Sequence, residues 1–134
     1  PILQRDATNQ IAPVFYPSAI DTGGYYELAY VEVYGRNLDE QTDSVQIAVR
    51  TEDTNPWFVS DKQHSNYCLF TGGFANYVKG NVFHFAVQLL DTNATDPVAP
   101  SIENIVAWFR PVEGYNPSAQ MPALQDERVT VEVT

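Results

Sequence analysis

The sequence has little cysteine, few basic residues and no long apolar run, and each scarcity excludes a class of protein. Its 134 residues include one cysteine, Cys68, so no intrachain disulfide can form and the core must hold the fold. Seven basic residues stand against 17 acidic ones, which gives a net charge of −10. This charge repels phosphate groups and therefore argues against nucleic acid and anionic membrane surfaces as partners. No apolar run approaches the roughly 20 residues that cross a bilayer.

The residues that carry enzymatic chemistry are equally sparse. The two histidines, His64 and His84, form no nucleophile–base motif with Cys68, and no nucleophile-elbow pattern occurs. One cysteine and two distant histidines do not supply four zinc ligands at motif spacing. A buried, inert Cys68 is the expected state. The sequence therefore predicts no enzyme, no catalytic residues, no metal and no cofactor.

Two acidic loops offer the only other candidate for a metal. Asp91, Asn93 and Asp96 would supply hard oxygen ligands for calcium, and so would the loop at residues 37–43. Neither loop has the twelve-residue EF-hand pattern. Asp and Asn are also common in turns because they tolerate turn geometry, and this is the favoured interpretation.

Alternating apolar runs and abundant aromatic residues, 13% of the chain, are what the sequence does have. The clearest runs are residues 25–34, 45–49, 83–89 and 129–133. Turns rich in Asp, Asn, Gly and Pro separate them, which is typical of pleated strands. Together with shorter runs they predict an all-β fold. We expect a single-domain antiparallel β-sandwich, jelly-roll-like, with about eight strands.

Finer expectations follow from the same patterns. Residues 21–24, Asp-Thr-Gly-Gly, predict a turn, and residues 25–35 predict a central strand with Leu28 and Tyr30 on one face. Residues 74–78 predict a further short strand. Residues 102–110 permit a helix at their start, but their β-branched and aromatic content favours a strand.

Two polar or proline-containing segments lie outside this pattern. Residues 1–10 predict an N-terminal arm, and residues 11–134 the β-sandwich domain. Residues 113–125 form a long segment with two prolines, of the kind that often makes contacts. Within it we expect Tyr115, Met121 and Leu124 to be interface anchors, because a few apolar or aromatic residues carry most interface energy.

The aromatic residues are the best functional candidates. On an exposed sheet face they would stack against sugar rings or anchor a protein interface. Packing in the core or across strand pairs is the plainer interpretation for any one of them. The candidates are Tyr25, Tyr26, Tyr30, Tyr34, Trp57, Tyr67, Tyr77, Trp108 and Tyr115.

These observations predict a non-enzymatic structural protein of a viral, phage-like particle. It would be a capsid, penton or decoration subunit outside the shell, since an acidic chain suits a position away from the genome. Its partners would be copies of itself or neighbouring shell subunits, with no nucleic acid and no membrane. The virion is the expected location, after synthesis in the host cytoplasm, because no leader is seen. The alternative is a carbohydrate-binding module or adhesin-type β-sandwich.

Overall fold

A computed structural model describes residues 13–52, 56–71, 74, 78–91 and 98–112, and the backbone of residues 3–4 and 127–131. Within these residues there are nine strands, which form one continuous sheet in which every pair is antiparallel. They are β1 (Leu3–Gln4), β2 (Val14–Phe15), β3 (Ile20–Arg36), β4 (Asp43–Thr51), β5 (Phe58–Val59), β6 (Tyr67–Phe70), β7 (Lys79–Asp91), β8 (Ser101–Pro111) and β9 (Glu127–Val131). The sheet curls into a half-barrel, and the predicted all-β, sandwich-like domain is confirmed.

Strand β3 is 17 residues long and belongs to both halves of the curled sheet. Tyr26 pairs with Gly80 of β7 and with Pro111 of β8, so these two strands lie on opposite edges of β3. Val31 pairs with Phe70 of β6 and with Ala107 of β8, so β6 shares an edge of β3 with β7. Strand β7 pairs with the first part of β3, whereas β6 pairs only with the later part, where β8 lies on the other edge. We therefore call β2, β4, β5 and β7 the β7 half, and β1, β6, β8 and β9 the β8 half.

One core lies between the two halves. The rings of Phe83 in β7 and Phe109 in β8 meet edge to face with centroids 4.7 Å apart. The rings of Phe58 and Phe74 meet in the same way at 5.2 Å. The largest fully buried side chains come from β3, β4, β7 and β8, together with Phe74. Burial of these apolar side chains supplies most of the folding free energy in a chain without a disulfide.

Glycine at residues 23 and 24 lies inside β3 rather than in a turn between strands. The pairing with β7 shifts register between Asp21 and Tyr26, and Gly23 has a φ of 74°. The Gly-Gly pair is thus a bulge in a continuous strand, which bends the strand and increases its twist. The predicted turn at residues 21–24 is wrong because a bulge and a turn use the same residue types.

A second irregularity changes which side chains of β3 reach the core. The pairing with β8 shifts between Leu28 and Tyr30, which leaves Ala29 between the paired residues. Before this shift Leu28 is buried, and after it Val31 and Val33 are buried while Tyr30 is only half-buried. An extra residue moves the following side chains to the opposite face. The prediction that Leu28 and Tyr30 share a face is therefore wrong.

Of three further strand predictions, two are confirmed and one is wrong. Residues 102–110 lie in a strand, β8, and β7 alternates as predicted, with Phe83, Phe85, Val87 and Leu89 buried. The prediction of a strand at residues 74–78 is wrong for its two described residues, Phe74 and Val78, neither of which lies in a strand. The amide of Val78 donates to the carbonyl of Phe74 at 2.7 Å, a bond to the fourth preceding residue that is not a strand pairing.

Candidate functional site

Five side chains gather on the outer face of the β8 half. The Ala29 bulge turns the side chains of Tyr30, Glu32 and Tyr34 away from the core. Strand register then places Trp108 of β8 opposite Tyr30 and Tyr67 of β6 opposite Tyr34. Residues directly opposite each other in antiparallel strands share a face, so three strands contribute to one surface. We call these five residues the Glu32 cluster.

The carboxylate of Glu32 holds three of the aromatic side chains by hydrogen bonds. The indole N–H of Trp108 donates to Oε1 at 2.5 Å. The hydroxyls of Tyr34 and Tyr67 both donate to Oε2 at 2.8 Å. Hydrogen bonds to a charged acceptor are stronger than neutral ones and fix the direction of the donor. One acidic side chain thus orients rings from three strands.

The rings pair across the strands on either side of Glu32. Tyr30 and Trp108 stack with centroids 5.3 Å apart and an angle of 23° between their planes. Tyr34 and Tyr67 are also 5.3 Å apart but are tilted by 55°. Tyr34 is 36% exposed and Tyr67 46%, and Leu69 beside them is 39% exposed. Apolar ring surface and polar oxygen atoms therefore alternate on an accessible part of the sheet.

The electrostatics keep Tyr67 in its neutral, hydrogen-donating form. The hydrogen bond to Glu32 raises the pKa of Tyr67 to about 12, with smaller contributions from partial burial and from the negative charge of Glu32. A tyrosinate beside that carboxylate would lose the hydrogen bond and add a second negative charge. Tyr67 therefore stays a hydrogen-bond donor to Glu32 throughout the physiological pH range.

The structure brings together four of the nine aromatic candidates, Tyr30, Tyr34, Tyr67 and Trp108. Tyr26 is buried in the core instead. Tyr77 and Tyr115 lie outside the described residues, as do the other predicted interface anchors, Met121 and Leu124. Of the predicted arm at residues 1–10, only positions 3 and 4 are described, and they pair with β8.

Trp57 lies on the other side of the molecule, on the outer face of the β7 half. Its ring is 6.4 Å from that of Tyr16, and the guanidinium of Arg50 lies 5.2 Å from its centroid. A shallow groove of about 160 Å³ lies on the same face, lined by Val14, Gln46, Ile47, Ala48, Val59, Ala86 and Gln88. Val14 and Val59 are 42% and 55% exposed. Sequence reasoning missed this groove, which we call the Val14 groove, because its residues come from four separate strands.

Two of the residues considered for catalysis, Cys68 and His64, contact backbone carbonyl groups in the structure. Cys68 is buried and donates to the Ser65 carbonyl at 3.1 Å, and burial raises the pKa of its thiol, as expected for an inert cysteine. The His64 ring lies 2.9 Å from the carbonyl oxygen of Asp43. Over the described ranges, no group of three or more His, Cys, Asp or Glu side chains is placed to hold a metal ion.

Two of the acidic loop residues meet as a buried pair. Asp43 of β4 lies opposite Asp91 of β7, and both are almost fully buried. The pKa of Asp43 is raised to about 6, chiefly by burial and also by the hydrogen bond and charge repulsion from Asp91. Two hydrogen bonds, from the Asp39 amide and the Thr42 hydroxyl, oppose this rise. Asn93 and Asp96, the remaining calcium candidates of that loop, lie outside the described residues.

The fold and its surfaces define an all-β, sandwich-like domain with a surface of aromatic side chains on one half and an apolar groove on the other. No family model, no curated protein and no solved structure matches this chain. Among the residues with described structure, no helix has the length and apolar character needed to span a membrane. The two surfaces are therefore the features of this chain that bear on its function.

Proposed function

We propose that the protein is a non-enzymatic structural subunit of a viral, phage-like particle, placed outside the shell as a capsid, penton or decoration subunit. The Val14 groove carries this proposal. Its exposed valines, Val14 and Val59, and its half-buried alanines form a mostly apolar surface beside two glutamines on a regular sheet face. Apolar patches on soluble proteins commonly mark contacts with another protein. Copies of this chain or neighbouring shell subunits are the proposed occupants.

Charge supports the outward position. The net charge of −10 makes contact with a packaged genome unfavourable, whereas an outer subunit meets only protein and solvent. Strong charge of one sign also keeps a subunit soluble before it assembles. Synthesis in the host cytoplasm and location in the virion belong to the same proposal.

Solution mass tests the assembly. We expect the wild-type chain to form oligomers whose mass, measured by light scattering, rises with concentration. Val59→Asp places a charge in the groove and should shift the protein to monomer, because an unpaired charge is costly at an apolar contact. Val98→Asp is the matched control, since Val98 is similarly exposed at 51% but does not line the groove. A wild-type protein that is monomeric at every concentration, or a Val59→Asp variant that assembles normally, contradicts the proposal.

The predicted anchors Tyr115, Met121 and Leu124 are part of this proposal as well. Tyr115→Ala should weaken assembly while leaving the thermal midpoint nearly unchanged. Deletion of residues 1–10 should also weaken assembly, at the small cost of the two-residue pairing of β1 with β8. A large loss of thermal stability in the isolated Tyr115→Ala domain would show instead that Tyr115 packs on its own core.

A carbohydrate-binding or adhesin-type module is the second candidate, and the Glu32 cluster is the observation that favours it. Tyrosine and tryptophan rings beside oriented polar atoms are suited to sugars, whose ring faces are apolar and whose edges carry hydroxyls. The cluster and the Val14 groove lie on different halves of the sheet. Glycan binding and shell assembly therefore do not compete for the same surface.

A further inference from the structure

We propose that the Glu32 cluster binds a neutral oligosaccharide along strand β3. The inference rests on the second candidate function, carbohydrate binding, and is independent of assembly through the Val14 groove. The exposed residues Tyr34, Tyr67 and Leu69 would form the contact surface. The half-buried residues Glu32 and Trp108 lie next to it.

The alternation of ring surface and oxygen atoms supports a sugar as ligand. The exposed parts of Tyr34 and Tyr67 supply apolar surface for the C–H face of a pyranose ring. Their hydroxyl oxygens and the Glu32 carboxylate lie between the rings, where they can accept hydrogen bonds from sugar hydroxyls. The rings are held in place before any ligand arrives, which reduces the ordering cost of binding.

The size of the surface indicates a chain of sugars rather than one ring. Tyr30 and Tyr34 stand on the same face of β3, four residues apart, a distance of about 13 Å along the strand. The Tyr30–Trp108 pair and the Tyr34–Tyr67 pair thus mark two ends of one surface. An oligosaccharide that lies along β3 would contact the Tyr34–Tyr67 end most fully, since these two rings are the more exposed.

Charge selects a neutral glycan. The cluster has a carboxylate at its centre and the whole chain carries −10, so sialylated or uronate-containing chains would be repelled. A protein partner fits the arrangement less well. Protein interfaces usually have an apolar core and a polar rim, whereas here the polar group is central and the rings surround it.

Tryptophan fluorescence provides a direct test because the chain has only two tryptophans. In a Trp57→Phe background the emission comes from Trp108 alone. Neutral hexasaccharides of glucose, mannose, xylose and galactose are titrated to millimolar concentration, with hexagalacturonate as the charged probe. We expect at least one neutral chain to change Trp108 emission saturably, and the charged chain to have no effect. The absence of a response to every neutral chain, or an equal response to the charged one, overturns the proposal.

Matched variants locate the binding surface. Tyr67→Ala should lower the affinity for the neutral chain by at least about fivefold, which corresponds to about 1 kcal/mol of lost stacking. Tyr16→Ala is the control, because Tyr16 is an exposed tyrosine on the β7 half. Thermal midpoints of both variants, measured alongside, show that the fold is intact. Equal binding by the two variants contradicts the assigned site.

Val59→Asp separates this inference from the proposed assembly. A monomeric Val59→Asp variant should bind the glycan as the wild type does. If soluble glycans have no effect but Trp108 emission changes when the wild-type chain assembles, the cluster is a protein contact and the glycan proposal fails while assembly stands. If glycan binds and no assembly occurs, the shell proposal fails alone.

Discussion

Gln63 pairs with Leu69 through its side chain as a strand residue would through its backbone. The side-chain amide nitrogen donates to the Leu69 carbonyl at 2.6 Å, and its oxygen accepts from the Leu69 amide at 3.0 Å. The backbone of Gln63 meanwhile exchanges two hydrogen bonds with Val45 of β4, at 2.7 and 2.9 Å. One glutamine therefore joins β4 of the β7 half to β6 of the β8 half and satisfies backbone groups at the edge of β6.

Replacing Gln63 by Ala should loosen β6 without unfolding the domain. Two hydrogen bonds at Leu69 are lost, and we expect a cost of about 1–2 kcal/mol in urea unfolding. Amide exchange at Leu69 should quicken more than at Val31 in the centre of the sheet. Gln41→Ala, in an exposed loop, is the control and should change neither quantity. Unaltered exchange at Leu69 in the Gln63 variant would contradict the proposed link.

The Asp43–Asp91 pair should contribute less stability at neutral than at acidic pH. The pKa of Asp43 is raised in the folded state to about 6 from 3.8, so folding favours the protonated carboxyl. Its contribution to stability is complete below pH 3.8 and is lost as the pH rises through 6. Asp43→Asn mimics the protonated form. It should raise the thermal midpoint at pH 7 and flatten the pH dependence between 4 and 7.

Asp61→Asn gives the control for this effect. Asp61 is exposed, so its substitution should shift the thermal midpoint little and leave the slope between pH 4 and pH 7 as in the wild type. An Asp43→Asn variant with the wild-type slope would mean that Asp43 is not the group that titrates. A lower midpoint at pH 7 would mean that the carboxylate, rather than the acid, fits the site.

The alternation of apolar and polar residues in the sequence is sufficient to predict the class of fold and the long strands. Strand β7 shows why, since its odd-numbered residues from Phe83 to Leu89 are all buried and β4 pairs with it without interruption. Strand β3 shows the limit. Its bulges at Gly23 and Ala29 exchange the buried and exposed faces, and a single sequence does not show where pairing skips a residue.

The candidate site was predictable only as a set of residue types. The aromatic residues of the Glu32 cluster are among the sequence-based candidates, but the hydrogen-bonding role of Glu32 is not predictable from the sequence, because it depends on donors from β6 and β8. Trp108 lies 76 positions away in sequence. Contacts at such separation follow from strand order and register, which hydrophobic periodicity does not specify.

Glu52 stabilises the start of β7, where the bulge in β3 interrupts its pairing. Its carboxylate accepts hydrogen bonds from the backbone amides of Asn81 and Val82, the latter at 3.0 Å. Burial opposes ionisation, but these hydrogen bonds prevail and lower the pKa of Glu52. Glu52→Ala should cost about 1 kcal/mol at pH 7, since the site is exposed. Because the folded-state pKa is lowered, the difference from wild type should vanish as the pH falls below the usual glutamate range, as urea unfolding at several pH values would show.

Gly23 and Gly80 should respond differently to substitution. Gly23 is required for its positive φ angle, whereas Gly80 is required because a side chain would not fit. Gly23 has a φ of 74° and open space around it, so Gly23→Ala should cost about 1 kcal/mol of backbone strain. A Cβ on Gly80 would lie 2.7 Å from the Cβ of Thr51 and 2.9 Å from Oε1 of Glu52. Thr51 is buried and its hydroxyl donates to the Lys79 carbonyl at 2.5 Å, so it has little freedom to move.

Asparagine distinguishes the two causes. Asn adopts positive φ more readily than Ala, so Gly23→Asn should recover part of the stability that Gly23→Ala loses. At position 80 the obstacle is space, so Gly80→Ala should cost about 1–3 kcal/mol and Gly80→Asn at least as much. Urea unfolding of the four variants measures both effects. If Asn restores stability at position 80, or if Ala is harmless there, then the close approach of β4 to β7 at Thr51 does not determine the choice of glycine.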